Sequence, residues 1–309
     1  MRHAAGTREG SDPEALHDMR VASRRLRAAL DAFAPLYDGA TFRRAVRETK
    51  TLTRALGAVR DDDVLRDTLR TYAESVPEDE APAVARFIER VEAGRESHRE
   101  VLLRDLDALD EAGYADRFLK AIKSPGKGKA GREHANDAGR RIVAVQTAAF
   151  YALAPHLQNP DHVEELHEMR IAAKRLRYAL ELFAEPLGEG AGPVIAAVRE
   201  FQEIVGEIHD ADVRVDLLTD YLRVRAAEHT DALAALAAEA EGADAAKEQA
   251  HATGAEWATE SAALVAAIAR TAATRRERYA HLRDRWNEWE TAGLHAQILA
   301  LSYEEAAAA

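Results

Sequence analysis

Two stretches of the chain gather residue types suited to holding an anion. LHDMRVASRRLRAALDAF occupies residues 16–33 and LHEMRIAAKRLRYALELF occupies 166–183, identical at eleven of eighteen positions. On a helix of 3.6 residues per turn, His17, Arg20, Arg24 and Arg27 fall within an arc of about 80°. His167, Arg170, Lys174 and Arg177 repeat the row. Like charges three and four residues apart repel by a few tenths of a kcal/mol per pair, and cations near a helix N-terminus oppose its dipole. A solvated face would mix the two signs. Here Arg27–Asp31 and Arg177–Glu181 can pair at i, i+4, which answers one arginine per copy and leaves a histidine and two cations. Cations recurring at about 5 Å per helical turn suit a polyanion with closely spaced charges. Single-stranded nucleic acid would call for aromatic stacking partners, and only Tyr178 lies beside the rows, with Ala28 at the matching position.

The rest of the composition frames this reading. Net charge is −12, which opposes a general affinity for nucleic acid or membrane surfaces, yet 35 of the 42 basic residues are arginine. Arginine's planar fork matches phosphate and carboxylate, although GC-rich coding or salt adaptation also enriches it. The chain has no cysteine, so disulfides and thiolate metal sites are ruled out. Its longest apolar runs, such as AALVAAIA at 262–269, are too short to span a bilayer. No secretory leader is visible at the N-terminus, and a cytoplasmic location is expected.

Apolar residues recur at three and four positions almost throughout, which predicts an all-α fold. Helices are expected at roughly 12–36, 40–57, 60–75, 79–109, 114–122 and 132–157, then 161–184, 192–208, 210–228, an Ala-rich stretch to about 250, and 256–291. Ser11-Asp12-Pro13-Glu14 and Asn159-Pro160-Asp161 read as N-terminal caps, and SPGKGKAG at 124–131 as a linker. Met19, Ala22, Leu26, Leu30 and Phe33 should form the core stripe of the first copy; Met169, Ala172, Leu176, Leu180 and Phe183 should form that of the second.

The repeat reaches further. LGAVRDDDV at 56–64 matches VGEIHDADV at 205–213 through Gly57/Gly206, Asp61/Asp210, Asp63/Asp212 and Val64/Val213, some 40 residues after each histidine. Two motifs in the same order predict an internal duplication: halves 11–157 and 158–292, each a bundle of about four helices, followed by a tail at 293–309. Arg43, Arg47, Lys50 and Arg54 make a further basic row, in which only Lys50 has a counterpart, Arg199. Arg47, Lys50 and Arg199 join the candidate set. Arg54, Arg140, Arg141 and the RRERYAHLRDR run at 275–285 are expected to be solvated.

His-x-x-Arg-x-x-x-(Arg/Lys)-Arg-x-Arg occurring twice, each time followed by (Leu/Val)-Gly-x-x-(Arg/His)-Asp-x-Asp-Val, resembles the CHAD family, the conserved histidine α-helical domain. The resemblance runs from about residue 11 to 292. It implies two pseudo-symmetric four-helix bundles joined around a basic groove or pore, with binding of inorganic polyphosphate, association with polyphosphate granules and no catalysis. It places the family's signature on His17, Arg20, Arg24, Arg25 and Arg27, and on His167, Arg170, Lys174, Arg175 and Arg177. His209, standing where the first half has Arg60, departs from the repeat. Many relatives carry an N-terminal triphosphate-tunnel domain with a Glu-x-Glu-x-Lys motif; none is seen here, so a stand-alone module or an excised fragment is expected.

Three rival readings remain. A metal-dependent phosphohydrolase would use His17-Asp18 and His209-Asp210 as ligand dyads, but neither dyad recurs intact in the repeat, and adjacent helical residues point about 100° apart. A nucleic-acid-binding helical module and a purely structural interaction module are the others. The expectation is a polyphosphate binder without cofactor or metal site, with no membrane partner and nucleic acid disfavoured. Asp61, Asp63, Asp210 and Asp212 should cap a following helix or orient arginines.

Overall fold

The computed structural model describes residues 3–10, 12–37, 39–74, 76–78, 80–123 and 135–302. The protein is all-α, and no strand occurs among the described residues. The helices are α1 (Ala4–Glu9), α2 (Pro13–Phe33), α3 (Ala40–Ala73), α4 (Ala81–Glu111), α5 (Tyr114–Ile122), α6 (Ala135–Tyr151), α7 (Val163–Leu182), α8 (Ala184–Leu187), α9 (Ala191–Glu239), α10 (Ala243–Thr291) and α11 (Leu294–Ser302). Short 3₁₀ turns at Ala34–Leu36 and Ala154–Gln158 follow α2 and α6. The expected linker at 124–131 lies outside the described residues.

The Asp12 carboxylate caps α2 by accepting from the Glu14 N–H at 2.9 Å, with Pro13 at the first helical position. The second expected cap residue, Asn159, sits three residues before the helix N-cap. Asn159 Oδ1 accepts from the Asp161 N–H at 3.0 Å, while His162 occupies the N-cap of α7.

Two breaks expected near Gly57 and Gly206 do not occur, because α3 and α9 run straight through them. An interior glycine costs a helix about 1 kcal/mol relative to alanine. Burial of one large apolar side chain returns about 1.5–3 kcal/mol. Leu56 and Val59 flank Gly57 at 0% exposure, and Val205 and Ile208 flank Gly206 at 1%, so packing outweighs propensity. With no new helix beginning after Gly57 or Gly206, the expected capping role for Asp61, Asp63, Asp210 and Asp212 is lost.

The described chain forms two compact units. One comprises residues 1–61, 96–206 and 278–309; the other comprises 62–95 and 207–277. Each draws on both sequence halves, with α3, α4, α9 and α10 contributing one end to each.

In the first unit, Leu16, Met19, Leu52, Leu56, Val59, Leu102, Leu106 and Tyr114 form one core cluster. Phe150, Phe201 and Trp286 interlock edge to face at 4.9–5.8 Å between centroids. Helices α6 and α7 pack closely because Gly139 has no side chain; a Cβ there would meet the Phe183 ring at 2.7 Å. Within the expected tail at 293–309, residues 294–302 form α11, which packs on α6 and buries Leu294, Ile298 and Ser302, while 303–309 lie outside the described residues. The second unit is built on Leu69, Phe87, Leu218, Tyr221, Leu264 and Ala267. Within it, Arg86 and Arg225 both reach the buried Glu260 carboxylate.

Candidate anion-binding cavity

All five expected core residues of α7, Met169, Ala172, Leu176, Leu180 and the following Phe183, are buried. In α2 the stripe is narrower. Met19 and Leu30 are buried, Leu26 and Phe33 are half-buried, and Ala22 is exposed. Ser23 is buried instead, matching the buried Ala173, and its hydroxyl donates to the Arg20 carbonyl at 2.9 Å. Helix α2 lies against α7 and the basic faces come together.

Between them opens a cavity of about 1160 Å³ in the first unit, walled by α2, α3, α6 and α7. Arg24, Arg27, Lys50, Arg54, Arg141, Arg170, Lys174 and Arg175 line it with His167, against only Asp31 and Asp61. Tyr178, Ile171, Val145 and Leu182 supply apolar wall. Both carboxylates face cations: Asp31 lies 3.7 Å from Arg27 Nε and from Lys50 Nζ, and Asp61 lies 3.7 Å from Arg20 Nη1. Gly57 also lines the cavity, and a Cβ built on it would touch nothing within 4 Å.

Lys174 is the most perturbed group here. Burial, then the neighbouring Arg24, Arg170 and Arg20, lower its ammonium pKa to about 7, with Asp61 opposing. Burial and the charges of Arg170 and Lys174 likewise lower His167. Arg20 lies behind the lining, its pKa also lowered, chiefly by burial. Its Nε and Nη1 are buried without a hydrogen bond among the described residues. Each of these groups is held where its charged form is disfavoured, and an anion in the cavity would favour the charged forms of the lining residues Lys174 and His167.

Of the thirteen sequence candidates, Arg24, Arg27, Lys50, His167, Arg170, Lys174 and Arg175 line the cavity. His17 and Arg20 are half-buried outside the lining, and Arg25 and Arg47 are exposed outside it. Arg177 turns the other way, donating to Gln202 Oε1 and Glu181 Oε1, both at 2.8 Å, and lying 4.7 Å from the Tyr178 ring centre. Arg199 shares Glu181 at 3.3 Å. Arg54 and Arg141, expected to be solvated, belong to the lining. The i, i+4, i+7, i+11 row on α3 carried the signal for Arg54; its partner rows could not be assigned without the packing.

The aspartates of the second motif divide. Asp61 faces the cavity. Asp63 is buried and accepts from Arg95 Nε at 2.6 Å, with Arg66 at 3.6 Å, while Asp212 pairs with Arg275. The expected orienting role therefore holds for Asp63 and Asp212, in the second unit.

The sequence model of the CHAD domain matches residues 1–219. The chain belongs to the CHAD family. The crystal structure of the CHAD domain from the plant Ricinus communis is similar, with TM-score 0.55 and 25% identity, over 86% of this chain and 85% of that one. Two uncharacterized proteins of Mycobacterium tuberculosis, MT2285 and Rv2226, are each 28% identical over 209 residues. That stretch is 65% of this chain and 39% of either relative, so the CHAD chain spans about two-fifths of their length. No helix among the described residues is long and apolar enough to cross a membrane.

Proposed function

We propose that this CHAD domain binds inorganic polyphosphate in the cavity walled by α2, α3, α6 and α7, without catalysing a reaction on it. The observation that carries the reading is Lys174: a half-buried amine ringed by arginines, in a lining of eight Arg and Lys against two Asp. Such a site is electrostatically incomplete until a multivalent anion enters. A bare phosphate chain meets it with closely spaced oxyanions, and arginine forks bind those oxygens in pairs. Through this contact the protein would attach to polyphosphate granules.

The rival dyads give no comparable focus. Asp18 pairs with His3 at 3.6 Å, His17 is outside the cavity lining, and His209-Asp210 belongs to the other unit. The lining aromatic nearest the cations is Tyr178, too little to stack a run of bases.

The test is a titration with tripolyphosphate and with longer chains, beside RNA and DNA, combined with an orthophosphate-release assay containing Mg²⁺, Mn²⁺ or Zn²⁺. Saturable polyphosphate binding that displaces nucleic acid, without phosphate release, is expected. Nucleic acid that binds as tightly and resists displacement would overturn the reading, as would turnover of the chain to orthophosphate.

A further inference from the structure

Away from the cavity, three ligand-bearing side chains converge where the 3₁₀ turn Ala154–Gln158 leads into α7. His156 and His162 bring their Nδ1 atoms to 3.1 Å, with the rings tilted 60°. Glu165, three residues after His162 on the first turn of α7, completes the group; one ligand atom from each residue lies within 4.8 Å of the others, and all three are half-buried. Among the described residues no other cluster of three such groups occurs.

We infer that His156, His162 and Glu165 form a site for a divalent transition-metal ion of the zinc class. Imidazole nitrogen with one carboxylate suits zinc better than magnesium or calcium, which prefer all-oxygen shells. Zinc–nitrogen bonds of about 2.0–2.1 Å in a tetrahedron set two nitrogens about 3.3 Å apart, close to the 3.1 Å observed. Three protein ligands leave the fourth position to water.

The backbone around the site is already fixed. Leu157 is fully buried and its carbonyl accepts from the Tyr279 hydroxyl at 2.7 Å, and the His162 N–H donates to the Asn159 carbonyl. Without metal, one imidazole donates Nδ1–H to the other. Binding needs both Nδ1 lone pairs, so the donor ring shifts its proton to Nε2, and no net charge is moved. The ion would pin the 3₁₀ turn to the start of α7.

The test uses the whole chain without an affinity tag, stripped with chelator and titrated with Co²⁺ and then Zn²⁺ alone, followed by visible absorption and calorimetry. One equivalent should bind, and Zn²⁺ should displace Co²⁺. His156→Gln and His162→Gln should each weaken binding by at least about tenfold, since loss of even an outer partner of a metal ligand costs that much. Absence of saturable one-to-one binding, or unchanged affinity in both variants, overturns the site. Should a variant fail to fold, diethyl pyrocarbonate modification of the unaltered protein decides the matter. Zn²⁺ should protect His156 and His162 from acylation, and equal modification with and without Zn²⁺ overturns the site.

Discussion

Phe33 and Phe183, which close the two copies of the basic motif, meet edge to face with ring centroids 6.2 Å apart. They occupy matching positions in the repeat, as do Arg24 and Lys174, whose charges act on one another in the cavity. Counterparts thus face counterparts along the α2–α7 seam. The aromatic meeting is favourable. The cationic meeting is unfavourable until something negative lies between.

Position relative to the cavity, more than membership of the motif, should decide the effect of charge reversal. Arg24→Glu or Arg170→Glu should weaken polyphosphate binding by roughly tenfold to a hundredfold, the value of about 1.5–3 kcal/mol for a hydrogen bond to a charged group. Arg25→Glu and Arg47→Glu, at exposed positions outside the lining, should have small effects that vanish in higher salt. Equilibrium titration of the four variants at two salt concentrations checks this.

Affinity should fall steeply with ionic strength. If the eight lining cations each neutralise one phosphate, a single-strand slope of about −0.7 per contact gives roughly a thousandfold loss between about 50 and 200 mM salt. Affinity that stays level over this range would refute the cavity as the binding site.

Binding should tighten as pH falls from about 8 to 6. Lys174, at about 7, is partly neutral when the cavity is empty, and a bound anion favours its ammonium form. Arg24 from α2, Arg54 from α3, Arg141 from α6 and Arg170 from α7 face the same cavity with Asp61, and His167, lowered by burial and by Arg170 and Lys174, responds to a bound anion in the same direction. Calorimetry in buffers of different ionisation enthalpy should show proton uptake on binding, and Lys174→Arg should reduce it.

The same lysine should cost the empty protein stability. Unfolded, it regains its ordinary pKa of 10.5. Between about 7 and 10.5 the unfolded chain therefore holds more protons, and this group's contribution makes stability rise with pH. Below 7 both states are charged and the native state bears the full penalty. Lys174→Met should accordingly raise stability at pH 6 by about 0.5–2 kcal/mol in urea melts, while weakening polyphosphate binding.

Gly57 allows a clean separation of fold from site. Gly57→Ala should stabilise α3 by about 0.5–1 kcal/mol, because the new methyl meets nothing within 4 Å. Gly57→Leu should project into the cavity and weaken binding while circular dichroism keeps its helical signature.

The sequence carried the helical class, most element positions and the second-copy stripe, because spacing at three and four residues is local information. It misjudged Gly57 and Gly206, where burial of Leu56, Val59, Val205 and Ile208 outweighs a local preference for breaking. It also carried every histidine and cation of the two motif copies as a candidate and left Arg54 and Arg141 as solvated. Which face of α2 turns toward α7 decides that Arg24 enters the cavity and Arg25 does not, and the meeting of α3 and α6 with that pair recruits Arg54 and Arg141. His156 and His162 flank a turn with no periodic signal, so only the folded chain brings them together.

The Gly-x-x-Arg-Asp-x-Asp segment of α3 is a composite. Asp61 and Asp63 are two positions apart and point about 200° apart around the helix, so one carboxylate belongs to the cavity and the other to the Arg95 ion pair. On the proposed function Asp61 would compete for the ligand's place, because it lines the cavity 3.7 Å from Arg20 Nη1. Asp63 has no such rivalry and answers only to whether its unit stays folded. A single written motif thus carries two unrelated tolerances. On the proposed function, loss of Asp61 would be read out as a ligand that lets go too slowly, and loss of Asp63 as a less stable second unit.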